Sequence, residues 1–321
     1  MAADQLYVFG MEVLKETTRG EYIVPTEPLC LLEDTANIPT ADYKKKDIKK
    51  MTGFDADSYQ LILDPTNPKV AVDITHWLPL SLQTALDTEV GILFESCGLF
   101  GEAIVLPNPG FGYTHVTGSD TTFSMLLTAL RFSTPYRMGQ GSFEIGFAVD
   151  EPLEAKFSFG MTQNDSTTEL AEIDPNNAVP TLDLTGDTDV MYYHSDNPAT
   201  VNGNPVCFEN LVFSQNNNIV EKECTSGKTR SISAKAPTIT FDAIMKEDFE
   251  LSFNDILNGT EFDIVIPVST RDGVAIGQFH FPKAVTDDDS TSNKDSLLSL
   301  SRTMSLRSTL GDDNYSFEFY T

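Results

Sequence analysis

GSFEIGFAVDEPLEAKFSFGM, residues 141–161, decides how this chain is read. Phe143, Ile145, Phe147 and Val149 fall on one side of an extended backbone, with Glu144 and Gly146 on the other. Asp150-Glu151-Pro152 then supplies a turn. Beyond it Leu153, Ala155, Phe157 and Phe159 alternate with Glu154, Lys156 and Ser158. Alternation of period two on both sides of a turn predicts a β-hairpin with one buried face and one wet face.

The same pattern spreads outward. Strands are predicted at 70–74, 121–132, 206–214, 229–234, 262–268 and 274–281. A second closing hairpin is predicted at 297–320. There Leu298, Leu300, Met304 and Leu306 share a phase, Gly311-Asp312-Asp313-Asn314 turns, and Tyr315, Phe317 and Phe319 return. Arg302 interrupts that phase, so the strand is expected to have an exposed end. Asn216-Asn217-Asn218 reads as a tip between two strands, because Asn tolerates left-handed backbone angles. Helical spacing is scarce. Val90, Leu93, Phe94 and Cys97 predict a helix over 88–98 with Gly98 as its stop. Ile244, Met245, Phe249, Phe253, Ile256 and Leu257 predict a second over 241–257, and a third candidate surrounds 40–50.

With 321 residues and 40% hydrophobic content, the chain can bury a core and is not disordered throughout. Its 21 Lys+Arg against 48 Asp+Glu give a net charge of −27. A surface that acidic repels phosphate and disfavours nucleic-acid readers and anionic-membrane binders, although solubility alone also accounts for it. No apolar run is long enough to span a bilayer, and the start MAADQLYVFGMEVLKETTRG lacks the basic opening of a secretory signal. Cys30, Cys97, Cys207 and Cys224 form no CxxC pair, which fits free thiols in a reducing compartment and no structural zinc site.

Chemistry-bearing motifs are absent. No HExxH, GxSxG, Walker loop or GxGxxG occurs, and the glycines of PGFGY (109–113) and GQG (139–141) lack a following helix and Lys. His76 and His280 stand among apolar neighbours and read as strand residues. Asp287-Asp288-Asp289 offers oxygen ligands but not the spacing of a calcium loop, so a solvated acidic loop is expected. No catalytic, cofactor or metal site is assigned, and no enzymatic activity is expected. One basic run opposes the overall charge: Lys44, Lys45, Lys46, Lys49 and Lys50 within KKKDIKK. It is either a solvated face or an arm that docks on the acidic surface of another copy.

The order strand, helix, strands, closing hairpin occurs twice, a duplication of pattern and not of residue identity. The expected division is a first domain at 1–165 with an N-terminal arm, a linker or insert at 166–200 within the Asn/Asp/Thr/Pro/Gly-rich stretch 163–205, and a second domain at 201–321.

Ordered fragments of the chain resemble the tail-tube (major tail) proteins of long, non-contractile bacteriophage tails. GEYIVPTEPLCLLEDTANIPTADY (20–43) resembles their extended N-terminal segment. DTEVGILFESCGLFGEAIV (87–105) resembles their short helix and Cys-Gly turn. PGFGYTHVTGSDTTFSMLL (109–127) and the hairpin at 141–161 resemble their strand and closing hairpin. ENLVFSQNNNIVEKECTSGKTRSISAKAPTITFDA (209–243) and KAVTDDDSTSNKDSLLSLSRTMSLRS (283–308) resemble segments of their second half. KKKDIKK and 163–205 depart from that pattern.

The resemblance implies two tandem tail-tube-type β-sandwich or barrel domains, each with a short flanking helix. It implies a virion protein assembled in the host cytoplasm. Three chains would form a pseudo-hexameric ring, or six a homohexamer, and the rings would stack into a conduit. A tape-measure protein and passing DNA would occupy the lumen without sequence-specific contact, and tail-tip and terminator proteins would cap the ends. A trimeric ring would carry 3 × (−27) = −81 charges. The expected interface residues are Lys44, Lys45, Lys46, Lys49, Lys50, Asp150 and Asp312. The competing reading is a β-sandwich carbohydrate-binding or adhesive virion protein, with Trp77, Tyr113, Tyr136, Tyr192 and Tyr193 stacking on sugars. A two-carboxylate hydrolase is the third.

Overall fold

The computed structural model describes residues 9–29, 69–84, 88–105, 109–116, 121–129, 132–164, 190–206, 208–224, 227–244, 258–294, 297–308, 311 and 313–320. Strands β1 (Phe9–Lys15), β2 (Glu27–Leu29) and β3 (Lys69–Trp77) precede the helix α1 (Glu89–Ser96). Then come β4 (Leu99–Ile104), β5 (Gly110–His115), β6 (Phe123–Ala129), β7 (Phe132–Phe147), β8 (Glu151–Pro152) and β9 (Glu154–Gln163). Further on lie β10 (Tyr192–Tyr193), β11 (Thr200–Val201), β12 (Asn204–Pro205), β13 (Phe208–Ser214), β14 (Asn217–Cys224) and β15 (Gly227–Lys235). The last are β16 (Thr238–Ile244), β17 (Glu261–Ser269), β18 (Ala275–Lys294), β19 (Leu297–Leu306) and β20 (Ser316–Tyr320). The fold is mostly antiparallel β, with one α-helix among the described residues.

The hairpin at 141–161 forms as its pattern requires. Phe143 faces Phe157 and Ile145 faces Ala155 across the β7–β9 ladder, and all four are buried. Val149, expected inside, is exposed. It lies past the end of β7, where the chain bends into the turn at Asp150 (φ 60°).

Two long strands change partners along their length and so bend the sheet. β7 pairs with β6 through its first half and with β13 through its last residues, while β9 runs along its other side. β18 pairs with β17 and β20 through its first half and with β19 through its second. From β13 the pairing passes through β16 and β19 to β18. Among the described residues β14 and β15 pair only with each other, forming a separate ribbon.

Helix α1 lies inside this sheet. Thr88 caps its start by accepting from Gly91 N at 3.0 Å, and Gly98 (φ 84°) ends it in the left-handed conformation that favours glycine. Every residue from Val90 to Ser96 is buried, so it is apolar on more than one face, as an internal helix must be. Phe94 meets Tyr113, Phe143, Phe157 and Phe317 with ring centroids 5.5, 5.0, 5.4 and 6.0 Å away, which joins β5, β7, β9 and β20 in one aromatic core.

The strands expected at 70–74, 206–214, 229–234 and 262–268 are present, and the one expected at 121–132 is cut short: β6 ends at Ala129, and Phe132 opens β7, which pairs back on β6. The one expected at 274–281 runs on to Lys294. Other expectations are corrected. Residues 297–306 and 316–320 do not form a hairpin: β19 pairs with β16 and β18, whereas β20 pairs with β18 and β5. The turn between them carries the chain from one half of β18 to the other.

Arg302 does not mark an exposed end. It is 1% exposed, with its guanidinium carbon 6.0 Å from the Phe262 ring centroid, a cation on an aromatic neighbour. Asp287-Asp288-Asp289 is not a loop but part of β18, at a register shift that leaves Asp287 and Asp288 exposed. Asn216 does take a positive φ (53°), but the strands flanking it do not pair with each other; the chain there leaves the main sheet for the ribbon. Residues 241–244 are strand and not helix; 245–257 and the candidate helix at 40–50 lie outside the described residues.

Two tandem units are not shown. The expected first and second domains share the ladders β7–β13 and β5–β20, the expected linker joins the first through β8–β10, and one hydrophobic cluster draws on both domains. Most of the expected linker, 166–189, lies outside the described residues.

Two outcomes follow for stability. Phe94→Ala should cost about 3–5 kcal/mol in urea unfolding, whereas Phe100→Ala, on an exposed strand face, should stay within about 0.5 kcal/mol. A small loss for Phe94→Ala would refute its central place. His76 on β3 is buried, and that burial lowers its pKa below the usual 6.5 against the smaller opposing pull of the Trp77 carbonyl and Glu89. The unfolded chain therefore takes up this proton first. The contribution of neutral His76 is present above pH 6.5 and is lost as pH falls towards the lowered value. Wild-type stability should drop below pH 6.5 by up to ~1.4 kcal/mol per pH unit more than that of His76→Gln. Parallel pH profiles for the two proteins would refute it.

Candidate functional site

The titratable side chains among the described residues do not converge. No group of three or more His, Cys, Asp or Glu is placed to hold a metal ion. His280 Nε2 meets Asp263 Oδ1 at 2.7 Å as a cross-strand pair, and His76 bonds the Trp77 carbonyl through Nδ1. His194 Nδ1 lies 4.0 Å from Asp150 Oδ1 and 3.7 Å from Asp196 Oδ2 around a turn. Cys97 is buried and free, and burial raises its thiol pKa well above the usual value. No described helix is long and apolar enough to cross a membrane.

Of the expected interface residues, Asp150 is the one described. Its carboxylate is exposed and accepts from Ser195 N at 2.9 Å, and this bond holds its pKa below the usual range. It thus ties the β7–β9 turn to the segment after β10. Lys44, Lys45, Lys46, Lys49, Lys50 and Asp312 lie outside the described residues. Of the aromatics considered for sugar stacking, Tyr113, Tyr136, Tyr192 and Tyr193 are buried in the fold, while Trp77 is half-buried. The glycines of 109–113 and 139–141 serve close packing. A Cβ on Gly110 would stand 1.9 Å from the Phe319 carbonyl oxygen, so only glycine lets β5 and β20 pair there.

Several buried polar groups bind backbone. Glu16 accepts from Gly20 N (2.7 Å), Thr122 Oγ1 (2.5 Å), Ser124 Oγ (3.0 Å) and Met138 N (2.8 Å). Met138 sits at a bulge in β7 with φ 57°. At the C-terminus of α1, Gln215 Nε2 and Asn217 Nδ2 donate to the Cys97 carbonyl at 2.8 and 2.6 Å. Lys235 Nζ donates to the carbonyls of Gly98 (3.0 Å) and Val116 (2.9 Å). A cation there also meets the negative end of the helix dipole.

What remains open is strand edge. β4 pairs with β5 on one side only, and β3 pairs with β9 on one side only, among the described residues. β4 exposes Phe100 (53%), and Val105 just beyond it is 75% exposed, with Glu102 and Ala103 also outward. An open concavity of about 350 Å³ beside it is lined by Glu102, Ala103, Ile104, Thr114, Glu318 and Tyr320. Glu318 there accepts from Tyr320 Oη (2.6 Å) and Gln278 Nε2 (3.0 Å). An apolar edge with free backbone donors and acceptors is a template for another strand.

Sequence reading missed the β4 edge, Glu16, Gln215 and Lys235. Most partners of Glu16, and those of Gln215 and Lys235, lie far away in the chain, so no local spacing marks them; on β4, Phe100 and Val105 are a phase break that reads as noise without the pairing. No protein-family model matches the chain, and no curated protein matches it.

Proposed function

We propose that the chain is a structural subunit of a long, non-contractile phage tail tube, without enzymatic activity, that assembles with its own copies into stacked rings around a DNA conduit. The observation that carries this reading is the pair of edges β3 and β4, each unpaired on one side among the described residues, the latter apolar. Two different edges on one subunit make a heterologous contact, the kind that closes rings. The resemblance of the ordered fragments to tail-tube proteins supplies the identity of the ring, and the mostly antiparallel β fold agrees with it.

In this reading the chain carries two tandem tail-tube-type sandwich or barrel units, so a ring holds three chains, or six chains in the alternative count. The tape-measure protein and DNA occupy the lumen, tail-tip and terminator proteins the ends. The virion is the place of action. An acidic wall suits a DNA conduit, because repulsion over the ~8 Å range of physiological salt limits adhesion. No observation favours the carbohydrate-binding reading, since four of its five stacking aromatics are buried.

Negative-stain images of the purified protein should show rings or tubes. The double substitution Phe100→Lys with Ala103→Lys should leave a folded monomer by circular dichroism and abolish the rings. A wild-type protein that stays monomeric at all concentrations, or rings that survive the double substitution, would count against the edge. Replacing Lys44, Lys45, Lys46, Lys49 and Lys50 by Glu should shorten tubes while leaving single rings intact. Tubes of unaltered length would remove the basic arm from the stacking contact.

A further inference from the structure

We propose that the ribbon β14–β15 is a hinged strap that lifts off the body as a unit while the rest of the chain stays folded. The proposal concerns this chain's own fold and holds whether or not the protein builds a tube. Among its described side chains the ribbon contributes none to the hydrophobic core. Between 216 and 236, Arg230 is the one buried residue among those described, at 3% exposure. Polar bonds hold the ribbon down instead, and their partners on the body are mostly backbone carbonyls.

The base and the free part of the ribbon are held differently. At the base, Asn216 Nδ2 donates to Ala236 O (3.2 Å) and Thr238 Oγ1 (3.0 Å), which staples the incoming and outgoing chain together. Asn217 Nδ2 reaches the Cys97 and Gly141 carbonyls at 2.6 and 2.8 Å, Asn217 N reaches Ser142 Oγ at 3.1 Å, and Lys235 reaches Gly98 and Val116. Further out, Arg230 Nη2 donates to Met161 O at 2.8 Å and Nη1 to Met138 O at 3.4 Å, at the β7 bulge.

The remaining bond of Arg230 makes lifting feasible. Its Nε donates to Glu221 Oε1 at 2.7 Å, and Glu221 is its cross-strand neighbour within the ribbon. The ion pair therefore travels with the strap. Opening regains hydration for the guanidinium without separating the charges and exchanges carbonyl bonds for water. A two-stranded ribbon off its support is marginal by itself, so its amides fray once it has lifted.

Native-state hydrogen exchange on the full-length protein tests this. The amides of Val220, Glu221, Arg230 and Ser231 should exchange at least ~100-fold faster than those of β7 and β13, with little dependence on added denaturant. In Arg230→Met the ribbon amides should speed up by a further ~10-fold or more, with β7 and β13 unchanged. Ribbon amides that exchange in step with β7 and β13 in the wild-type protein would overturn the proposal. So would an Arg230→Met effect of equal size on ribbon and body. Should Arg230→Met fail to fold, the wild-type comparison alone decides.

Discussion

A helix enclosed on every side has to find partners for its last carbonyls without water. That constraint organises this molecule. α1 brings Phe94 into the aromatic centre, so it cannot move to the surface to hydrate its end. The chain answers with Gln215, Asn217 and Lys235, all from well over a hundred residues further along. The corner at Asn216 must therefore sit against Cys97, and β13 must lie beside β7 to bring it there. Helix packing, strand order and ribbon placement are one solution to a hydrogen-bonding requirement.

Local features of the fold were readable because their physics is local. The alternation at 141–161 needs only its own turn to become a hairpin, and Thr88 with Gly98 brackets a helix wherever that helix is placed. Partner choice was not readable. Residues 297–306 and 315–320 look like a hairpin since each is apolar in phase and a turn lies between them, yet both find a better partner in β18. Arg302 looked like a break in a buried strand because sequence periodicity cannot see Phe262 beneath it. Asp287 to Asp289 looked like a loop because acids are rare in strands, and a bulge on an exposed face removes that objection. The candidate site was not legible: an open edge is a statement about which ladder is missing, and single residues such as Phe100 and Val105 do not encode it.

The internal polar side chains are spent on the backbone. Glu16, Arg230, Lys235, Gln215 and Asn217 each bind main-chain groups, so little of their hydrogen-bonding capacity is left over for a substrate. Enzymes tend to hold such groups at clefts with perturbed protonation. Here the marked upward shifts fall on Cys97 and Tyr315, both fully enclosed, and on Tyr320, bonded to its neighbour Glu318.

β18 runs twenty residues without a turn and serves two different sets of neighbours. Tension applied along it passes from the β20–β5–β4 side to the β19–β16 side through covalent backbone, with no flexible joint to absorb it. Stretching either region would load the other at once.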